Sequence, residues 1–152
     1  MNFTILKKTC VLLALLVSLM LATATRCAAQ SPLPNPVLYF TGQEIYQTGG
    51  KQWIRYKYAV DNFSVYPNAL FAAAPDLPPC GKNAQSSRSW VDIYDQSGKR
   101  LYGFCAFKDH NGLAEIWFAL ELDAIPPSYI YIEINDRKTN TKYKSNLADT
   151  TL

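Results

Sequence analysis

The sequence predicts an all-β chain: a seven-stranded antiparallel two-sheet sandwich, preceded by an N-terminal signal helix. Three observations carry this. Apolar and polar residues alternate with a period of two through 51–61, 88–95, 115–122 and 128–136, four of seven short runs. Tyr, Ile, Val, Phe and Trp crowd those runs, while the 9 prolines avoid them. Gly, Asn, Asp and Ser punctuate the gaps, as turns require.

The first 29 residues read as an export signal. Lys7 and Lys8 make a basic start, Cys10 to Leu21 a near-continuous apolar run, and Cys27-Ala28-Ala29 a small-residue exit. A spanning helix needs roughly 20 apolar residues. This run is shorter, and Thr23, Thr25 and Arg26 follow it, so no stable membrane anchor is expected after processing. Arg26 precedes Cys27 and Lys8-Thr9 precede Cys10, where lipid-attachment sites carry small or aliphatic residues. Cleavage after Ala24 leaves Cys27, Cys80 and Cys105, an odd set for an oxidising compartment. Cleavage after Ala29 leaves two cysteines that can pair, and is the preferred reading. The processed chain then starts at Gln30 and has 123 residues, enough for one domain. The expected destination is secreted or periplasmic.

Processing removes Lys7, Lys8 and Arg26 and no acid, leaving 12 basic against 12 acidic residues. A neutral balance does not carry the concentrated basic face of nucleic-acid binding. No lysine-rich membrane patch is visible either.

Residues 30–36, Gln-Ser-Pro-Leu-Pro-Asn-Pro, predict an extended linker. Strands are expected over 37–46, 51–61, 88–95, 100–107, 115–122, 128–136 and 140–145. Thr48-Gly49-Gly50, Asp95 to Lys99 and Asp136 to Thr139 supply hairpin turns. Pro126-Pro127 bars a helix before the sixth strand. Seven short strands with regular turns match a sandwich of immunoglobulin or fibronectin type III style over 37–146, with a small barrel as the alternative. Residues 147–152 are expected to fray as a flexible tail. Residues 62–87 have no period and carry Pro67, Pro75, Pro78 and Pro79. They are expected either to hide an edge strand near Ala69–Ala73 or to pack as a flap over one sheet. One helical turn is expected within Gly112–Glu115.

Cys80 and Cys105 are expected to form a disulfide that ties the flap to a strand. The loop it closes has 26 residues, for which chain entropy gives roughly 3.5 kcal/mol. The spacing matches neither C-x-x-C nor a zinc pattern, so a structural staple is favoured over a redox or metal pair.

Strand parity separates two faces. Ile54, Tyr56, Tyr58 and Val60 share one, with Val91 and Ile93, with Ile116, Phe118, Leu120 and Leu122, and with Ile130, Ile132 and Ile134. The opposite parity carries Trp53, Trp90, Tyr94, Trp117, Tyr129 and Tyr131 among charges. These six are the candidate binding residues. Either the flap and Arg and Lys stems cover them, or they form an exposed aromatic platform for a glycan or protein.

Little points to catalysis. His110 is the single histidine, in the turn-like run Asp109-His110-Asn111-Gly112. Glu44, Glu115, Glu121 and Glu133 are the acids a glycosidase pair would draw on. Asp92 and Asp95 flank a turn too sparse in oxygens for a calcium loop. There is no G-x-S-x-G elbow, Walker loop or dinucleotide fingerprint. No catalytic residue, metal or cofactor is therefore assigned. Asn62-Phe63-Ser64 matches a glycosylation acceptor. The leading expectation is a non-catalytic binding or interaction module. Its rivals are a loop-based hydrolase or hydrolase inhibitor, and a structural accessory domain with no discrete site.

One further likeness bears on this. Leu77-Pro78-Pro79-Cys80-Gly81, then Ser86 to Asp95, then Gly98 to Cys105, with the later Pro126 to Ile132 and Asn135-Asp136-Arg137, resembles a group of small exported bacterial proteins of uncharacterised function with predicted sandwich domains. The resemblance spans most of 37–146. It implies a sandwich, a Cys80–Cys105 pair and a bacterial exported setting, and supplies no activity.

Overall fold

The computed structural model describes residues 32–71, 87–104 and 107–151. The expected export signal, the Cys80–Cys105 pair and the 72–86 part of the long loop lie outside the described residues. Among the described residues eight strands form: β1 (Leu38–Thr48), β2 (Lys51–Val60), β3 (Ser89–Asp95), β4 (Arg100–Phe104), β5 (Ile116–Glu121), β6 (Tyr129–Asp136), β7 (Thr141–Lys144) and β8 (Ala148–Asp149). They make two sheets, a three-stranded one in the order β1-β2-β5 and a five-stranded one with β4-β3-β6-β7 in a row and β8 also on β6. Every pairing is antiparallel.

Local chemistry explains the hairpins. Gly49 and Gly50 turn β1 into β2 with φ of 59° and 75°, a backbone that side chains with a Cβ resist. Asp95 organises the β3–β4 turn, its Oδ1 accepting from Ser97 N at 2.8 Å, Ser97 Oγ at 2.6 Å and Lys99 N at 3.0 Å. Ser97 first, then the backbone N–H groups, hold that carboxyl below its ordinary range. Asp95 thus serves a turn.

Both sheets feed one core. Tyr56, Tyr58, Val60, Ile116 and Phe118 meet Val91, Ile93, Ile130, Ile132 and Ile134 in a single buried cluster. The Tyr56 and Phe118 rings stack at 5.1 Å. Fully burying each such side chain contributes roughly 1.5–3 kcal/mol. The apolar parity is not covered along its whole length, however. Ile54 and Leu120 are only half-buried and Leu122 is 42% exposed, because sheet β1-β2-β5 runs past the packed interior at its hairpin end.

The described part of the long loop, 62–71, is not a strand. It forms two 3-10 turns, Phe63–Val65 and Asn68–Phe71, which bury Tyr66, Leu70 and Phe71 in the core. This stretch packs as a flap. The proline-rich approach to β1 is irregular, yet held down. Tyr66 Oη donates to Pro34 O at 2.7 Å, and Asn62 Nδ2 donates to Asn35 O at 3.0 Å. Asn62 Oδ1 accepts from Val37 N at 2.9 Å, so the whole amide of the acceptor-like triplet is used within the fold. Another 3-10 turn, His110–Ala114, precedes β5 and is capped by Asp109, which accepts from Asn111 N at 2.8 Å.

The chain end also differs from a free tail. Ala148 pairs with Ile130 and Asp149 with Tyr129, so β8 extends the edge that β7 begins. Thr150 is buried and its N–H donates to Ser128 O at 3.2 Å. Two strand residues and one buried threonine show no period, which is why alternation missed them.

Candidate functional site

The six aromatic candidates divide between two faces that look away from each other. Trp90 and Tyr94 on β3, with Tyr129 and Tyr131 on β6, lie on the outer face of the β4-β3-β6-β7 sheet; the register pairs Tyr94 with Tyr131. Trp53 on β2 and Trp117 on β5 lie on the outer face of the other sheet. Parity put all six outward. It could not say which sheet each strand would join, because pairing is a long-range choice.

On the four-stranded row, Asp92 is the organising group. It is buried, yet every lone-pair direction points at a donor. Oδ1 accepts from Arg100 Nη2 at 2.6 Å and Nε at 2.9 Å; Oδ2 accepts from Trp90 Nε1 at 3.1 Å and Asn135 Nδ2 at 3.3 Å. Arg100 reaches Asp92 across Gly103, the residue opposite Asp92 on β4. Only a residue without a Cβ leaves that path clear: a Cβ there would fall 1.8 Å from Arg100 Nη2. Beside this network the Tyr94 and Tyr131 rings stack at 5.2 Å. Burial, then the Asp92 and Glu133 carboxylates, push the Tyr94 phenol up.

Cations cap the rings. Arg137 lies 5.0 Å from the Trp90 ring centre, and Lys144 Nζ lies 3.9 Å from that of Tyr131. Lys142 bonds Glu133 at 3.1 Å, and that contact raises its ammonium pKa. Tyr131 is left 8% exposed, whereas Tyr129, at the strand's start, is 43% exposed. Trp90 and Tyr94 are half-buried.

The opposite face is a second aromatic–cation array. Arg55 lies between Tyr46 and Trp117, its guanidinium carbon 4.8 Å and 4.5 Å from their ring centres. Tyr102 of β4 reaches Trp117 at 5.7 Å. Glu44 bonds Arg55 at 2.6 Å and also pairs with Lys57. Lys57 first, with Arg55, holds the Glu44 carboxyl below its ordinary range. Trp53 and Trp117 are half-buried, and Trp53 Nε1 is buried with no hydrogen-bond partner among the described residues. Arg55, Tyr46 and Tyr102 were not singled out by the sequence. The period-two pairing of Glu44 with Arg55 across the Gly49-Gly50 hairpin was the available signal.

Among the described residues Glu44, Glu121 and Glu133 are engaged in separate ion pairs, the first two on one sheet and Glu133 on the other. His110 is half-buried, with Nδ1 at 3.0 Å from Tyr66 O and its ring 5.8 Å from Phe63. It docks the loop before β5 onto the flap. Among the described residues no group of three or more His, Cys, Asp or Glu side chains is placed to hold a metal ion, and no helix is long and apolar enough to cross a membrane. Comparison of the chain with protein-family models, with curated proteins and with solved structures gave no match.

Proposed function

We propose that this chain is an exported, non-catalytic binding module with a sandwich of the fibronectin type III kind, and that it meets a protein partner through the outer face of the β4-β3-β6-β7 row. The export part rests on Lys7, Lys8 and the apolar run from Cys10 to Leu21. The fold part is supported by the strand order, in which the fourth strand sits beside the third. In the constant-type immunoglobulin arrangement it returns to the first sheet.

The binding part is carried by one observation: Trp90, Tyr94, Tyr129 and Tyr131 share a face with Arg100 and Arg137, and the buried Asp92 holds Trp90 and Arg100 in place. Trp, Tyr and Arg are the residues that dominate protein–protein hot spots. A preset network lowers the ordering cost of binding. A glycan is the weaker fit, because Arg137 and Lys144 already occupy ring faces on which a sugar would stack. Those same caps favour the second reading, an accessory domain with no discrete site.

The test uses variants on the exposed part of the face, Tyr129→Ala and Arg137→Glu, in pull-downs from envelope extract. The expected result is a captured partner lost with both variants and kept with Ile125→Ala, a change at an exposed loop position. A partner that ignores both variants would place binding elsewhere. A glycan-array signal abolished by both would change the ligand class. Failure of acrylamide to quench Trp90 would support the accessory reading.

A further inference from the structure

The free edge of β1 combines three features that natural edges usually avoid. First, it is long and regular: after the register slip between Phe40 and Gly42, Gln43 to Thr48 pair with β2 without interruption, and no other strand pairs with β1 among the described residues. Secondly, that stretch has no lysine and no proline, the residues that commonly blunt an edge. Its one charge, Glu44, is already paired with Arg55 and Lys57 of its own sheet. Thirdly, Ile45 is 61% exposed and heads a cross-strand row, Ile45–Ile54–Leu120, that the core leaves half covered.

We infer that β1 pairs with β1 of a second copy of this chain, antiparallel about a two-fold axis centred on Ile45, to form a continuous six-stranded sheet. Charge and side-chain pattern select this register. Centring on Glu44 would set two carboxylates opposite each other, an unfavourable cross-strand pair. Centring on Tyr46 would set Ile45 against Gln47. Centring on Ile45 sets Ile45 against itself, Gln43 against Gln47, and Glu44 against Tyr46. The two aliphatic rows then join into one row of six side chains. At the other end of β1, the Asn146 side chain already engages Leu38 N and O, so the available edge is the segment after the bulge. The contact is isologous and closes on itself, which favours a dimer over a fibre. Its area is small, below the roughly 1,200 Å² of standard interfaces, so association is concentration-dependent.

This inference does not depend on the aromatic face. It is tested by sedimentation of the processed chain over a concentration series, with Ile45→Lys and, as a control on a second exposed aliphatic, Ile125→Lys. The expected result is a monomer–dimer equilibrium weakened at least about tenfold by Ile45→Lys and unchanged by Ile125→Lys. Circular dichroism should be the same for all three, since Ile45 is exposed. A wild-type chain that stays monomeric up to about 1 mM, the weak end of measurable affinities, would overturn the inference. So would a dimer that tolerates Ile45→Lys, or an edge that takes up an extended peptide of another protein while the chain itself stays monomeric.

Discussion

Asp136 shows how much one buried carboxylate can organise. Oδ1 accepts from Arg88 Nε at 3.1 Å and Lys138 N at 3.0 Å; Oδ2 accepts from Arg88 Nη2 at 2.8 Å and Thr139 Oγ1 at 3.0 Å. Arg88 also donates from Nη1 to Ala69 O at 2.8 Å, joining the start of β3, the end of β6 and the flap. Arg88 first, then Thr139 and the Lys138 N–H, hold the Asp136 carboxyl below its ordinary range. The sign of the linkage follows. With a lowered folded pKa, the unfolded chain binds more protons in the acid window. This contribution is therefore complete above the unfolded value, about 3.9, and is lost as pH falls through the lower folded value. Asp136→Asn should cost about 2–3 kcal/mol at neutral pH. It should also flatten the fall in stability below about pH 4. Urea unfolding at neutral and acid pH checks both; equal losses for the variant and the parent on acidification would remove Asp136 from this role.

Among the elements, the kink between β7 and β8 joins the sheets by hydrogen bonds. Ser145 N donates to Ile132 O at 3.0 Å, and Ser145 Oγ accepts from Ile132 N at 2.9 Å. Asn146 then turns its amide sideways onto the first strand of the other sheet. Oδ1 accepts from Leu38 N at 2.7 Å, and Nδ2 donates to Leu38 O at 2.9 Å. One side chain thus imitates a strand partner. Asn146→Ala should cost about 1–3 kcal/mol, the worth of two backbone groups left without partners. It should raise hydrogen exchange at Leu38 far more than at Ile132. Equal protection at Leu38 in the variant would mean that the two sheets are held elsewhere. This link was hidden from the sequence, because an asparagine in a polar stretch reads as a turn residue. The strands themselves were legible. Ile130, Ile132 and Ile134 alternate with polar neighbours, and the expected 128–136 strand forms as Tyr129–Asp136. The apolar run from Ala69 was ambiguous: its described part, Ala69 to Phe71, lies in a 3-10 turn, and such a run is compatible with a strand or with a buried turn.

At the scale of the whole molecule, parity gives the interior and long-range pairing gives the faces. Ile93, Ile132 and Phe118 were legible as core from alternation alone, and all are buried. The candidate site was only half legible: Trp117 and Trp90 share a parity, but β5 pairs with β2 while β3 pairs with β6, which sends them to opposite sides. The same logic governs the chain end. Sequence composition marks residues after 146 as a polar tail, yet Ala148 and Thr150 are buried. β8 seals the half of the β6 edge that β7 leaves open. Without it, Tyr129 and Ile130 would carry an unpaired sheet edge next to the exposed Tyr129 ring, a template for unwanted pairing. Removing residues 148–152 should therefore cost about 2–3 kcal/mol. The same truncation should increase aggregation on mild heating. Thermal unfolding with light scattering reads both, and a truncated chain as stable and as soluble as its parent would show that the sheet closes without its last strand.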